Sequence, residues 1–427
     1  MINLTTLSII ELKKYYEIYM KQFDEICNKN LKLDMSRGKP SPEQLDLSSE
    51  LLSLDLGDIT KNFNIDYRNY GIIDGISEIK NFISECTGIP ENLFFVGGNS
   101  SLSMMFDTIS CFMIHGVNNC APWAKQENIR FLCPVPGYDR HFAMCEHFGI
   151  DMIPVKMNSD GPDMNFIENM VSSDSSIKGI WCVPKFSNPT GVTYSNEVIT
   201  RFAKLKPAAQ DFRIFWDNAY FFHDFSDNFI EILDIITECK KYNNQDLPIV
   251  FFSTSKITFA GSGVAFMACE EPNLSQLKKN YSFKTISFDK INQLRHIVFL
   301  KNKENLKKHM LKHAEIIKSK FNIVIQILNK HFDKHNEILT WSEPNGGYFI
   351  NITTQKNCAK KIVSMCKQAG VIFTDAGATF PYKNNPDDNN IRIAPTYPDI
   401  GELKNAIEIF CLVTKIVYIK NKLNLDA

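Results

Sequence analysis

Five short polar clusters follow apolar runs along this 427-residue chain: GGNSS at 97–101, PVPGYDRH at 134–141, FSNPTG at 186–191, WDNAY at 216–220 and STSK at 253–256. If the apolar runs are strands, the clusters sit just past strand ends, where open α/β sheets bind ligands. Asn99, Ser100 and Ser101 follow two glycines and open a helix. Backbone N–H groups and hydroxyls at a helix N-terminus make an anion site, although a turn with an N-cap accounts for the same residues. Asp217 comes directly after FRIFW and is either a ligand partner or a helix cap. Lys256 comes just after PIVFF, and a lysine so close to a buried strand is costly unless it is paired or chemically used. A phosphate cradle, an Asp able to pair with a pyridinium and a Lys able to form a Schiff base are what pyridoxal 5′-phosphate (PLP) needs.

The elements that must position these groups are legible as an alternation. LFFVGG, IRFLCPVP, IDMIPVKM, IKGIWCVP, FRIFWDNAY and PIVFFSTS are β-rich, and helices are expected from Ser101, from Tyr138 and after Tyr194. The strands are almost continuously apolar, as in a parallel sheet covered on both faces. The expected fold is therefore α/β, with a mostly parallel central sheet in a large domain and a smaller α+β domain. Residues 6–29 read as an amphipathic helix capped by Thr6 or Ser8, and 33–48 as a loop. Residues 291–336 contain no Pro or Gly and read as a long connecting helix, followed by GGYFINI, VIFTDAG and IRIAPTY as strands. The expected division is 1–50 as an N-terminal helix and active-site loop joining the small domain, 51–295 as the large domain, and 296–427 as the small domain.

Bulk properties exclude several functions. Lys plus Arg number 47 and Asp plus Glu 48, so no global field draws the chain to nucleic acid or an anionic membrane. The run KNKENLKKHMLKH reads as a solvated helix face. The 12 cysteines form no C-x-x-C pair and read as buried apolar groups of a reducing compartment. No metal-ligand spacing is present, and the first 25 residues lack the apolar core of a signal peptide. A cytoplasmic enzyme is the expectation, with no membrane or nucleic-acid partner.

SNPTG, WDNAY and STSK, followed by RIA near the C-terminus, occur in an order and spacing that resemble the fold-type-I PLP aminotransferases of class I/II. MSRGKPSPEQLDLS, YRNYG, PVPGYDRHF, INQLRH and RIAPTYP resemble, within that family, a bacterial branch of aspartate aminotransferases and MocR-like aminotransferases, over residues 33–412. The resemblance implies that Lys256 forms the Schiff base and then shuttles the proton. It implies that Asp217 keeps the pyridine nitrogen protonated, that Asn188 and Tyr220 bond the ring's phenolic oxygen, and that Tyr138 stacks on the ring. Asn99, Ser100 and Ser253, with Ser101 and Ser255, would hold the phosphate. Tyr70 would reach the phosphate of a partner subunit, which implies a homodimer with shared sites, and Asn292 would lie at that interface. Arg392 would clamp the substrate α-carboxylate, with Gly38 over the substrate on a mobile segment. Asn188 would also face the substrate.

One departure stands out. Where the family places a phosphate-binding Arg after the lysine, ITFAGSGVAF puts Gly263. Lys125, Arg140, Lys185 and Arg68 are candidate replacements. The implied reaction moves the amino group of an L-amino acid, aspartate or glutamate, to 2-oxoglutarate or oxaloacetate by a ping-pong route. Arg37, Lys39, Lys125 and Arg295 are candidates for a distal carboxylate. A PLP-dependent lyase or decarboxylase on the same fold is the alternative, and a PLP-sensing regulator is disfavoured because only one helix's worth of chain precedes the family-like region.

Overall fold

The computed structural model describes residues 3–62, 65–333 and 337–425. Its central sheet has eight strands, in the spatial order Phe94–Val96, Ala265–Ala268, Pro248–Ser253, Arg213–Asp217, Ile177–Cys182, Arg130–Val135, Asp151–Asn158 and Gly161–Pro162. The five strands from Pro248–Ser253 to Asp151–Asn158 pair in parallel. Ala265–Ala268 runs antiparallel to both its neighbours, and Gly161–Pro162 closes the other edge antiparallel. Successive side chains of a strand point to opposite faces. Leu132, Ile180, Ile214 and Val250 accordingly enter one core, while Phe131, Trp181, Phe215 and Phe251 enter the other. Two covered faces explain why these strands read as unbroken apolar runs.

A third core surrounds a three-stranded antiparallel sheet of Leu339–Trp341, Ile350–Thr354 and Asn390–Ile393. The helix Ile400–Lys422 packs there, and so does the N-terminal helix Ile9–Cys27 through Leu12 and Phe23. That first helix starts at a reciprocal cap, with Ser8 bonded to Glu11 and Glu11 back to Ser8, so Ser8 rather than Thr6 is the cap. The two-residue strand Leu33–Asp34 pairs parallel with Val371–Ile372, which carries the following loop toward the main sheet.

The expected single helix over 291–336 is two helices, Lys290–Leu300 and Lys303–His331; residues 334–336 lie outside those described. Lys301 adopts a left-handed backbone (φ 62°), and the Asn302 side chain accepts from the Asn305 N–H at 2.9 Å. Asn is a strong N-cap, and it restarts the helix without needing Pro or Gly. All 12 cysteines are free and ten are buried. Among the described residues, no helix is long and apolar enough to cross a membrane, and no His, Cys, Asp and Glu cluster suits a metal ion.

The Lys303–His331 helix spans two cores, with Leu306 and Met310 in one and Ile317, Phe321 and Leu328 in another. His309 and His313 lie one turn apart at its junction, both buried. Burial pushes His313 down to about 3, and burial with the nearby Lys256 amine does the same to His223. An unfolded histidine titrates near 6.5, so below that pH the unfolded chain takes up protons that the fold refuses. The stability tied to these rings is complete above pH 6.5 and is lost as pH falls toward 3. Calorimetry should therefore show Tm declining from pH 6.5 downward, with a shallower decline in His313→Asn. Equal slopes for the two proteins would contradict this role.

Candidate active site

The parallel strands deliver their polar ends to one cavity of about 520 Å³, between the main sheet and the three-stranded sheet. Lys256, Asp217, Tyr220, Asn188, Tyr138 and Arg392 all line it, although they span the sequence from 138 to 392. Ser253 and Ser255 line the same cavity at the end of Pro248–Ser253.

Lys256 occupies the turn after that strand. Burial pushes its amine below the ordinary lysine range, and the Asp217 carboxylate partly offsets the effect. Its Nζ lies 5.0 Å from the centre of the Tyr220 ring. Asp217 ends Arg213–Asp217 and is 2 % exposed. His141 Nε2–H donates to its Oδ2 at 3.2 Å, while Oδ1 is buried and has no protein partner. His141 is itself fixed by stacking on Trp181, 4.2 Å between centroids and 7° between planes. The Tyr138 phenol is raised by burial and by the carboxylates of Asp217 and Asp139, so it stays protonated. Tyr220 is held up mainly by burial.

The helix Ser101–His115 points its N-terminus at the cavity. Its N-cap, Ser100, makes no side-chain capping bond, so its hydroxyl and that of Ser101 remain available at the cavity wall. Asn99 is not brought into the wall. Its amide donates to the Gly261 carbonyl at 3.4 Å, and its own carbonyl accepts from Ser255 Oγ at 2.8 Å. A Cβ at Gly263 would lie 3.0 Å from Ser255 Oγ and 3.1 Å from that Asn99 carbonyl. Glycine therefore leaves room for the Ser255–Asn99 hydrogen bond, and Asn292 Nδ2 holds the loop by donating to the Ser262 and Gly263 carbonyls at 3.1 Å each. Asn292 thus bonds within its own chain.

Of the four cations considered for the phosphate, only Arg140 reaches the cavity. Lys185 is buried against Asp224 at 2.6 Å, Arg68 pairs with Asp66, and Lys125 is exposed elsewhere. Of those considered for a distal carboxylate, Arg37 and Lys39 line the cavity, whereas Lys125 and Arg295 are exposed outside its wall. Tyr70 is 80 % exposed and also lies outside the wall.

Arg392 stands on the buried strand Asn390–Ile393 and is 6 % exposed. Its Nη1 donates to Asp139 at 2.8 Å and to Asn188 Oδ1 at 3.2 Å, its Nη2 donates to Thr374, and its Nε is buried without a partner. The Phe349 ring lies 4.8 Å from the guanidinium carbon. Gly38 packs against the same ring, where a Cβ would fall 2.4 Å from Phe349 Cζ. Only glycine lets the segment lie so close.

Sequence reasoning missed His141, Asp139 and Thr374. His141 lies three residues after Tyr138, so helical spacing could have placed it near the site. Asp139 and Thr374 contact Arg392 through tertiary folding, and nothing local announces them. The assembled groups are a buried amine whose charged form is disfavoured, a buried carboxylate with an open oxygen, a helix N-terminus with free hydroxyls and a half-satisfied guanidinium. Such a set can attach a carbonyl compound, hold an anion and move a proton.

Comparison with known proteins fits this geometry. The family model described as aspartate amino-transferase matches residues 8–424. An aspartate aminotransferase of Corynebacterium glutamicum is 41 % identical over 396 residues, covering 92 % of this chain and 91 % of that protein. A crystal structure of an aspartate transaminase from Corynebacterium glutamicum superposes with a TM-score of 0.94 at 39 % identity, covering 98 % of this chain and 99 % of the other. LysN, an α-aminoadipate aminotransferase from Thermus thermophilus complexed with N-(5′-phosphopyridoxyl)-L-leucine, shares the fold at a TM-score of 0.72, 17 % identity and 96 % coverage of each chain. With its α/β architecture and a match over nearly its whole length, the chain belongs to the aspartate amino-transferase family and is an aminotransferase.

Proposed function

We propose that this aminotransferase uses PLP held at Lys256 and takes aspartate or glutamate as amino donor, with 2-oxoglutarate or oxaloacetate as acceptor. The observation that carries the reading is the buried Lys256 amine, pushed below the ordinary lysine range, sharing one cavity with an Asp217 carboxylate whose Oδ1 is unmatched. A buried carboxylate oxygen without a partner is costly, and a protonated ring nitrogen is the partner it lacks. The residues present thus fit the cofactor. Bound there, PLP supplies an electron sink for the charge left when a substrate loses its α-proton.

The protein's own groups have separable tasks. Lys256 is the attachment point, and its Nζ, whose hold on a proton is weakened by burial, is the base that takes the α-proton. Asp217, oriented by His141, holds a proton on the ring nitrogen. Tyr220 and Asn188 line the cavity and would bond the ring's phenolic oxygen, and Tyr138, on the same wall, would cover the ring. Ser100, Ser101, Ser253, Ser255 and the helix N-terminus hold the phosphate, with Arg140 supplying the cation that Gly263 does not. Arg392 Nε, unmatched beside Asp139 and Asn188, is the group left for the substrate α-carboxylate. Arg37 and Lys39 supply the second cation for a dicarboxylate. Two copies assemble, with the exposed Tyr70 reaching the partner's phosphate site. Segment 1–50 works with 296–427 as the small domain against 51–295, the Lys303–His331 helix bridging the two.

Asp217→Asn is expected to retain PLP but to lose at least about a hundredfold in kcat, as when one preorganised electrostatic partner is removed. A kcat within threefold of the parent would contradict the assigned role. With L-aspartate and 2-oxoglutarate, coupled assays should find oxaloacetate and glutamate in equal amounts. Ammonia, pyruvate or carbon dioxide as the main product would instead establish the lyase or decarboxylase alternative. In an Arg37→Met/Lys39→Met double variant, kcat/KM for aspartate should fall about ten- to a hundredfold, the worth of one or two charge-assisted hydrogen bonds, while alanine is unaffected. Parallel losses for both donors would place the distal carboxylate elsewhere.

A further inference from the structure

A set of buried polar side chains lies behind the lysine turn, outside the cavity wall. Gln44 is fully buried on the short helix Pro42–Asp46, just after the Arg37–Lys39 segment that lines the cavity. Its Oε1 accepts from the Ser41 N–H at 3.1 Å, which fixes which end of the amide is oxygen. Its Nε2 then donates twice, to Tyr348 Oη at 3.0 Å and to His313 Nδ1 at 3.2 Å.

Both branches end on the backbone of the lysine turn. The Tyr348 hydroxyl points at the Lys256 carbonyl at 3.5 Å, and His223 Nε2 reaches the same oxygen at 3.3 Å. His309 Nε2 donates to the Ile257 carbonyl at 2.7 Å, and His313 also bonds that carbonyl. With Nδ1 accepting from Gln44, His313 carries its proton on Nε2, which lies 3.1 Å from His309 Nε2, so both rings donate toward the Ile257 carbonyl and not to each other. His313 is thus a neutral ring, and Tyr348, His223 and His309 each direct a donor at a carbonyl of the lysine turn.

We propose that Gln44, Tyr348 and His313, together with His223 and His309, form a relay of hydrogen bonds that fixes the Lys256 and Ile257 carbonyls and ties the N-terminal segment carrying Gly38 to the reactive lysine. These are positioning residues, because none of them lines the cavity. The relay rests on the reading of Lys256 as the reactive group. Its consequence is that the segment lying over the substrate and the aim of the amine are set together. When 37–39 is seated, Gln44 is seated, and the turn carrying Lys256 is held from behind. Of the relay's side chains, His223 Nδ1 alone is a buried polar atom without a partner.

Two substitutions separate this from a local packing effect. Gln44→Glu keeps the oxygen that serves the Ser41 N–H but removes both donors. Tyr348→Phe keeps the ring and cuts only the branch to Lys256. Hydrogen exchange read by mass spectrometry suits the question, because the amides of Thr254, Ile257 and Thr258 are bonded within the turn region. Gln44→Glu should speed exchange in both 37–48 and 253–260 by about tenfold, and Tyr348→Phe should speed it in 253–260 alone. In each variant kcat should fall about tenfold while the amino-acid KM stays within about twofold, since the Arg392 clamp is untouched. Unchanged exchange in 253–260 in both variants overturns the relay. The exchange result holds whatever Lys256 carries, and borohydride fixing of PLP to another residue of the unmodified protein would overturn the functional reading instead.

Discussion

An amine whose charged form is disfavoured by burial, sharing a cavity with a carboxylate that has one oxygen satisfied and one open, is the constraint on which the rest of this structure depends. Water would protonate Lys256 and solvate Asp217, and the chemistry assigned to both would disappear. Burial pushes the amine down while Asp217 pulls it back up, so the two must be fixed relative to each other. The fold meets this by hanging them on adjacent parallel strands, Pro248–Ser253 and Arg213–Asp217, with Phe251 in register with Asp217. His141, stacked on Trp181, holds one carboxylate oxygen and leaves the other facing the cavity.

The remaining parts follow from how such a sheet must be built. Parallel strands need helices to return, and the helix Ser101–His115 brings an N-terminus to the strand ends. Anion binding thus comes at little extra cost, and it matters more here because Gly263 supplies no guanidinium. Arg392 comes from a different sheet with a different core, so its guanidinium and the lysine belong to separately packed parts. The N-terminal segment joins them: Gly38 lies on Phe349, which lies on Arg392, while Gln44 reaches the back of the lysine turn. The site is therefore a closed arrangement of three chain regions rather than a single motif.

Much of this was legible in the sequence because local chemistry dictated it. Lys256, Asp217, Asn188 and Tyr220 stand at strand ends, and a strand end can be read from an apolar run and the polar residue that stops it. Two faces of buried side chains produced the continuous hydrophobic runs that revealed the parallel sheet. Asn302 shows where such reading falls short, since a cap in the middle of a charged run broke one expected helix into two. Asn99 shows another limit: it has the right type and place for the cradle, yet its amide turns to Gly261. Asp139, Thr374 and the histidines behind the lysine gain their meaning only from contacts across the fold. Twofold alternation and 3.6-residue periodicity carry no information about such contacts.

The claim that organises the structure is that Lys256 is the residue holding PLP. Incubating the protein with PLP, reducing with borohydride and mapping the modified peptide by mass spectrometry tests it directly. The account predicts a single phosphopyridoxyl group on Lys256, and none on any residue of a folded Lys256→Ala variant. A reduced adduct on another lysine, or one retained in that variant, would contradict it.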